Sequence, residues 1–149
     1  MPEKETIDRA REDAREGKSA STQAGEFVRE EMHHIREGKH GAASSKQAIA
    51  IGLSKARRAG VKLQPPKKGK TSTDTREKAA HDYREGQSGS RRKPSVTRSR
   101  ATTQALKKES HSAASRQALS KQARSAARKR SASARHESAM KASRTRKAS

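Results

Sequence analysis

Large apolar side chains are scarce in this chain, and they run out early. Leaving out Met1, ten residues drawn from Val, Ile, Leu, Met, Phe and Tyr lie in the first 63 positions: Ile7, Phe27, Val28, Met32, Ile35, Ile49, Ile51, Leu53, Val61 and Leu63. Tyr83, Val96, Leu106, Leu119 and Met140 are all that follow in the remaining 86. Apolar burial is the main favourable term in folding, so a core is expected in the N-terminal part. Phe27 and Tyr83 are the two aromatics, and the hydrophobic 28% is mostly alanine. Such a composition places much of the chain in the disordered class. A catalytic pocket needs apolar walls that exclude water and hold groups rigid, so the composition argues against an enzyme.

Charge follows the opposite gradient. Residues 1–45 carry 8 basic and 10 acidic side chains, 46–70 carry 8 and none, 71–86 carry 3 and 4, and 87–149 carry 18 and 2. A nearly neutral head is thus joined to a cationic tail, with a formal charge of +21 for the whole chain. Self-repulsion on this scale opposes compaction and favours a polyanionic partner. No apolar run approaches the roughly 20 residues of a membrane span, and no stretch pairs a basic face with a broad apolar one. A membrane partner is therefore not expected. The chain has no cysteine, which excludes disulfides and thiolate chemistry. The charged start "MPEKETIDRAREDAREG" does not read as a secretory signal, so the expected location is cytoplasmic, at the nucleoid.

Punctuation marks three helices in the head, over about 4–16, 22–37 and 46–59, stopped by Gly17, Gly38 and Gly60. Ser44 or Ser45 caps the third. Its Ile49, Leu53 and Ala56 lie on one side, with Ile51 about 160° away from Ile49. That helix is therefore expected to be buried on two sides, against the second helix and against the first helix or another molecule. Pro65 and Pro66 make 64–73 an extended linker. A short helix over about 75–85 follows an Asp74…Glu77 capping pair.

From Gln87 the chain is low in complexity: of 63 residues, 14 are Ser, 13 Ala and 18 Lys or Arg. Isolated helices without a packed face are marginal in water. The tail thus reads as largely disordered, with transient helix near 101–109 and 113–130 when its charges are matched. The expected class is all-α: a helical head over 1–63, the linker 64–73, a short helix within 74–86 and the disordered tail 87–149. Some sequence recurs. "REGKSASTQA" at Arg15 returns as "REGKHGAASSKQA" at Arg36, and "HGAASSKQA" at His40 is echoed by "HSAASRQA" at His111. These read as reuse of one helix-stop, turn, helix-start pattern.

The segment "EEMHHIREGKHGAASSKQAIAIGLSKARRAG" resembles a family of small uncharacterised bacterial and viral proteins. The matching positions are Met32, His33, Gly38, Lys46 through Ile51, Leu53, Ser54, Ala56 and Arg57. Ile35 stands where that family usually has an aromatic, Gly52 where it tends to have Ala, and Lys55 where it often has Glu. The resemblance covers about 30 residues and implies no established activity. The tail is similar in composition to the Lys/Ala/Ser-rich arms of linker histones and bacterial histone-like proteins.

Six histidines raise the question of a metal. His33 and His34 are adjacent, hence about 100° apart on a helix, and no cysteine or third histidine stands at a zinc-like spacing. No metal site and no cofactor is expected. The serines lie in no nucleophile elbow, and phosphate-loop and dinucleotide glycine patterns are missing. The basic residues remain: Lys46, Lys55, Arg57, Arg58, Lys62, Lys67, Lys68, Lys70, Arg91, Arg92, Lys93, Arg124, Arg128, Lys129 and Arg130. Some of them satisfy the negative end of the third helix, but that does not explain a run this long.

Two aromatics provide almost no stacking platform, which disfavours single-strand readers and leaves phosphate contacts that carry little sequence information. The expected function is therefore sequence-non-specific nucleic-acid binding of a histone-like, nucleoid-associated kind, with DNA favoured over RNA. One alternative is a protein-interaction module whose basic tail only solubilises or targets it. RNA or ribosome association is another. The thin core also points to a second copy or a protein partner against the head. Ser95, Ser99 and Ser131 lie near basic residues, where phosphorylation would subtract charge.

Overall fold

Serine hydroxyls start most of the helices. Ser19, Ser44, Ser72, Ser115 and Ser131 each accept a hydrogen bond from the backbone N–H three residues on, satisfying one of the donors a helix start leaves open at about 1 kcal/mol apiece. The computed structural model describes residues 1–89 and 95–148. Its elements are α1 (Lys4–Arg15), α2 (Ala20–Arg36), α3 (Ser45–Arg58), α4 (Thr73–Gln87), α5 (Val96–Lys107), a 3-10 turn (His111–Ala114), α6 (Arg116–Arg128) and α7 (Ala132–Ala148). Among the described residues all regular structure is helical, in line with the expected all-α class. The α4 cap differs from the expected Asp74…Glu77 pair: Ser72 caps the helix, and Asp74 instead binds Lys78 at 2.8 Å.

Two apolar clusters hold the chain together. Phe27, Ala10, Ala24, Ala56 and Val61 form one, flanked by Ile7, Leu53 and Leu63. Met32, Ile35, Ala42, Ala48, Ala113 and Ala114 form the other, flanked by Val28, Ile49 and Leu119. Helix α3 divides its alternating aliphatics between them, Ile49 to the second and Leu53 to the first, and leaves Ile51 half-buried. It packs on α2, α4, α6 and the 3-10 turn, and meets α1 in the Phe27 cluster. The α2–α3 approach is close at Gly52, where a Cβ would lie 2.7 Å from Val28 Cα. Gly52→Ala is therefore expected to cost about 1–3 kcal/mol despite alanine's better helix propensity. Chemical denaturation would show this as a lower midpoint with unchanged slope, and an equal or raised midpoint would refute the close-contact reading.

A three-helix head with a disordered tail is not what the structure shows. Helix α4 joins the head by packing on α3. Ala79 is buried, and Asp82 accepts hydrogen bonds from Ser54 and Arg58, each at 2.6 Å. Beyond it, α5, α6 and α7 are formed, and the segment from Leu106 to Leu119 docks on the head. Gly41 N–H donates to Leu106 O at 2.9 Å, and Ala42 N–H donates to Ser110 O at 3.1 Å. Arg36 Nε donates to Ala114 O, and Ser45 Oγ donates to Ala113 O. Alanine is the physical reason for the correction. Among the described residues, eight of the twelve buried hydrophobic ones are alanines, whose small side chains let backbones approach closely enough to hydrogen-bond. A count of large apolar residues does not register them.

The recurring "HGAAS" and "HSAAS" segments pack against each other. Ser44 caps α3 and Ser115 caps α6, while Ala42 from the first copy shares a cluster with Ala113 and Ala114 from the second. The reused helix-start pattern thus also builds a contact between its two copies.

Candidate nucleic-acid interface and a buried histidine–carboxylate cluster

Ion pairing is confined to the N-terminal part of the described chain. Every ion pair found among the described residues lies between Glu3 and Glu85, for example Arg9–Glu26 at 2.7 Å, Lys18–Asp13 at 2.8 Å and Arg58–Asp82 at 2.6 Å. From Ser95 to Ala148 the chain carries 15 Lys and Arg against Glu109 and Glu137. All fifteen are exposed, and no ion pair involves any of them among the described residues. On α6 the charges are ordered. Leu119 faces the head, while Lys121, Arg124 and Arg128 fall within about 60° of one another on the opposite side, over a rise of about 10 Å. The cations of α7 (Arg135, Lys141, Arg144, Arg146 and Lys147) are spread around the helix.

The residues singled out in the sequence fall into three groups. Lys46, Lys62, Lys67, Lys68, Lys70, Arg124, Arg128, Lys129 and Arg130 are exposed. Lys55, Arg57 and Arg58 are engaged within the head. Lys55 Nζ sits 2.6 Å from Glu31 Oε2, Arg57 is buried and donates to Leu63 O, and Arg58 binds Asp82. Burial, partly offset by Asp82, pushes the Arg57 pKa down. Arg91, Arg92 and Lys93 lie outside the described residues. The α6 residue Lys121 and the exposed cations of α5 and α7 are not among the residues singled out in the sequence. The signal that marks Lys121 is its helical register with Arg124 and Arg128.

A second feature lies inside the head. Glu30 and Glu31 of α2 have side chains only 2% and 0% exposed. His34 follows on the same helix, and Gly38, at φ +76°, turns the chain so that His40 comes back over it. The two rings meet edge to face at 6.2 Å. His34 Nε2 lies 2.8 Å from Glu3 Oε1, and Lys39 Nζ reaches the same oxygen at 3.2 Å. The bonds from His34 and then Lys39 pull the Glu3 pKa down. Lys39 is raised by Glu37 first and Glu3 second. Lys55 Nζ also lies 3.6 Å from Glu30 Oε1. Glu31, His34 and His40 each offer one metal-ligating atom, and these atoms all lie within 4.8 Å of one another. Sequence spacing did not suggest this group. The available signal was Glu31-x-x-His34, two residues on one helical face.

No helix among the described residues is long and apolar enough to cross a membrane. No curated protein and no solved structure matches the chain. Residues 15–68 do match a family model, in keeping with an uncharacterised domain in this part of the chain. They span α2, α3 and every member of the histidine–carboxylate cluster except Glu3, and the family they match is described as a family of unknown function, DUF6496.

Proposed function

We propose that the protein is a non-enzymatic, sequence-non-specific nucleic-acid-binding protein that contacts duplex DNA phosphates through its C-terminal helices. The observation that carries this reading is the distribution of ion pairs. Every ion pair among the described residues lies in the N-terminal part, where all but two of the carboxylates are, whereas the fifteen cations from Arg98 to Lys147 stand exposed without ion pairs among the described residues. Cations that are not neutralised by an internal carboxylate retain their capacity to displace the counterions of a polyanion. The Lys121–Arg124–Arg128 stripe is the ordered part of this surface, held outward because Leu119 anchors the other side of α6. Helix α7, charged around its circumference, suits a bridging or coating contact better than base reading. Nucleoid association follows from the same chemistry.

The test is a titration of the full chain with random-sequence duplex DNA across a range of salt concentrations. Log K is expected to fall linearly with log salt, at about −0.9 per phosphate neutralised, and equally for duplexes of different sequence. The triple variant Lys121→Gln, Arg124→Gln, Arg128→Gln should reduce the slope by about 2–3. Full chain is required, because truncation before Leu106 would strip Ala113, Ala114 and Leu119 from the head. Absence of salt-dependent binding by the full chain would refute the reading. Duplex RNA in the same titration compares the two polyanions.

A further inference from the structure

We infer that Glu31, His34 and His40 form a binding site for one divalent transition-metal ion of the zinc type. Gly41 O only accepts, so His40 Nδ1, 3.0 Å away, carries the proton and donates to it. A neutral His40 then has its lone pair on Nε2, which lies 3.3 Å from Glu31 Oε1. On the other ring, His34 Nε2 donates to the Glu3 carboxylate at 2.8 Å, leaving the lone pair on Nδ1, 3.9 Å from Glu30 Oε1. Two imidazole lone pairs thus face two carboxylate oxygens, acceptor against acceptor. Among the described residues, those two oxygens, Glu30 Oε1 and Glu31 Oε1, are the buried side-chain atoms that lack a hydrogen-bond partner.

A buried carboxylate without a partner is costly, and buried charges are paired or coordinate metals. Lys55 serves Glu31 through Oε2 and so leaves Oε1 open. A cation held by Glu31, His34 and His40 gives the open Glu31 oxygen and both imidazole lone pairs a partner, while Glu30 keeps the Glu3 N–H at 3.2 Å and the Lys55 ammonium at 3.6 Å. The donor set fits: two imidazole nitrogens and a carboxylate oxygen suit zinc and its neighbours, with no thiolate required. The outer support is also in place, since each ring already gives its other N–H to an oxygen, Glu3 for His34 and the Gly41 carbonyl for His40, which is how metal-binding histidines are held in tautomer and orientation. Zinc ligands stand about 2.0–2.2 Å from the ion and hence about 3.4 Å from one another. Three atoms within 4.8 Å need side-chain rotations that close the set by about 1 Å. The other grouping of this kind, His81, Asp82 and Glu85, is unlike it, because Asp82 is already bound by Ser54 and Arg58.

The competing occupant is a proton on each ring, and the experiment separates the two. Full-length protein stripped with chelator is titrated with Zn²⁺ by calorimetry and with Co²⁺ by absorption, which reports ligand geometry. One equivalent is expected to bind. His40→Gln and Glu31→Gln should abolish that site, Glu3→Gln should weaken it about 10-fold through His34, and His33→Gln should leave it unchanged. Since Glu3 is half exposed, its variant tests the site where a core variant fails to fold. Ring nitrogen resonances of the unmutated protein give an independent reading. At one equivalent only His34 and His40 should shift. Shifts spread over His33, His81, His111 and His136, binding unaffected by Glu3→Gln, or no binding at all would each overturn the assignment.

Discussion

Gly41→Ala is expected to unseat the C-terminal segment from the head. A Cβ at this position would stand 2.0 Å from Glu109 O and 2.9 Å from Ser110 O. Both are backbone atoms, so no side-chain rotation relieves the clash. The 106–110 strand of chain must move away, breaking the bonds from Gly41 N–H to Leu106 O and from Ala42 N–H to Ser110 O. Ala113, Ala114 and Leu119 then lose their packing on Met32 and Ile35. Two hydrogen bonds and the overpacking together cost about 3 kcal/mol. Amide hydrogen exchange should report faster exchange at Gly41 and Ala42 and from Leu106 to Leu119, and little change around Phe27, which belongs to the other cluster. Trypsin should cut sooner at Lys121 and Arg124. Unchanged protection across α6 would show that the docking contact is not what holds this segment.

Lys55→Met is expected to have a comparably large effect for an electrostatic reason. Methionine keeps most of the apolar stem but removes the ammonium that sits 2.6 Å from Glu31 Oε2 and 3.6 Å from Glu30 Oε1. Breaking a buried pair by deleting one partner costs about 3–5 kcal/mol, because the remaining charge stays in a poorly solvating interior. For a chain of this size the melting temperature should fall by about 10 °C. Adding Glu31→Gln to the same variant should restore about half of the loss, since Glu30 remains uncompensated. A double-mutant cycle measures this directly. If Lys55→Met shifts stability by less than about 1 kcal/mol, the pair is effectively solvated and the buried-charge account is wrong.

Much of the head was legible because its signals are local. Gly17, Gly38 and Gly60 take positive φ at the ends of α1, α2 and α3, and the helices run within a residue or two of the expected bounds. The docked tail was not legible. Its contribution to the core is two alanines, half-buried Leu119 and backbone hydrogen bonds, none of which stands out from sixty residues rich in alanine. The repeated "HGAAS" and "HSAAS" segments were a usable clue, read as punctuation when they also mark two surfaces that meet. The candidate site divides in the same way. A cationic C-terminal half is plain from the sequence, whereas Lys55, Arg57 and Arg58 look available until α2, α4 and the loop at Leu63 engage them.

By itself, the sequence determined the all-α class, the helix stops of the head and the serine cap of α3, and the segregation of charge, because each depends on residues within about four positions of one another or on composition alone. The tertiary structure decided which cations are neutralised internally and that the tail folds back. It also decided that His34 and His40 face Glu30 and Glu31 across the turn at Gly38. Each of these outcomes rests on a partner brought from another element, and the distance to that partner is fixed only when the helices pack.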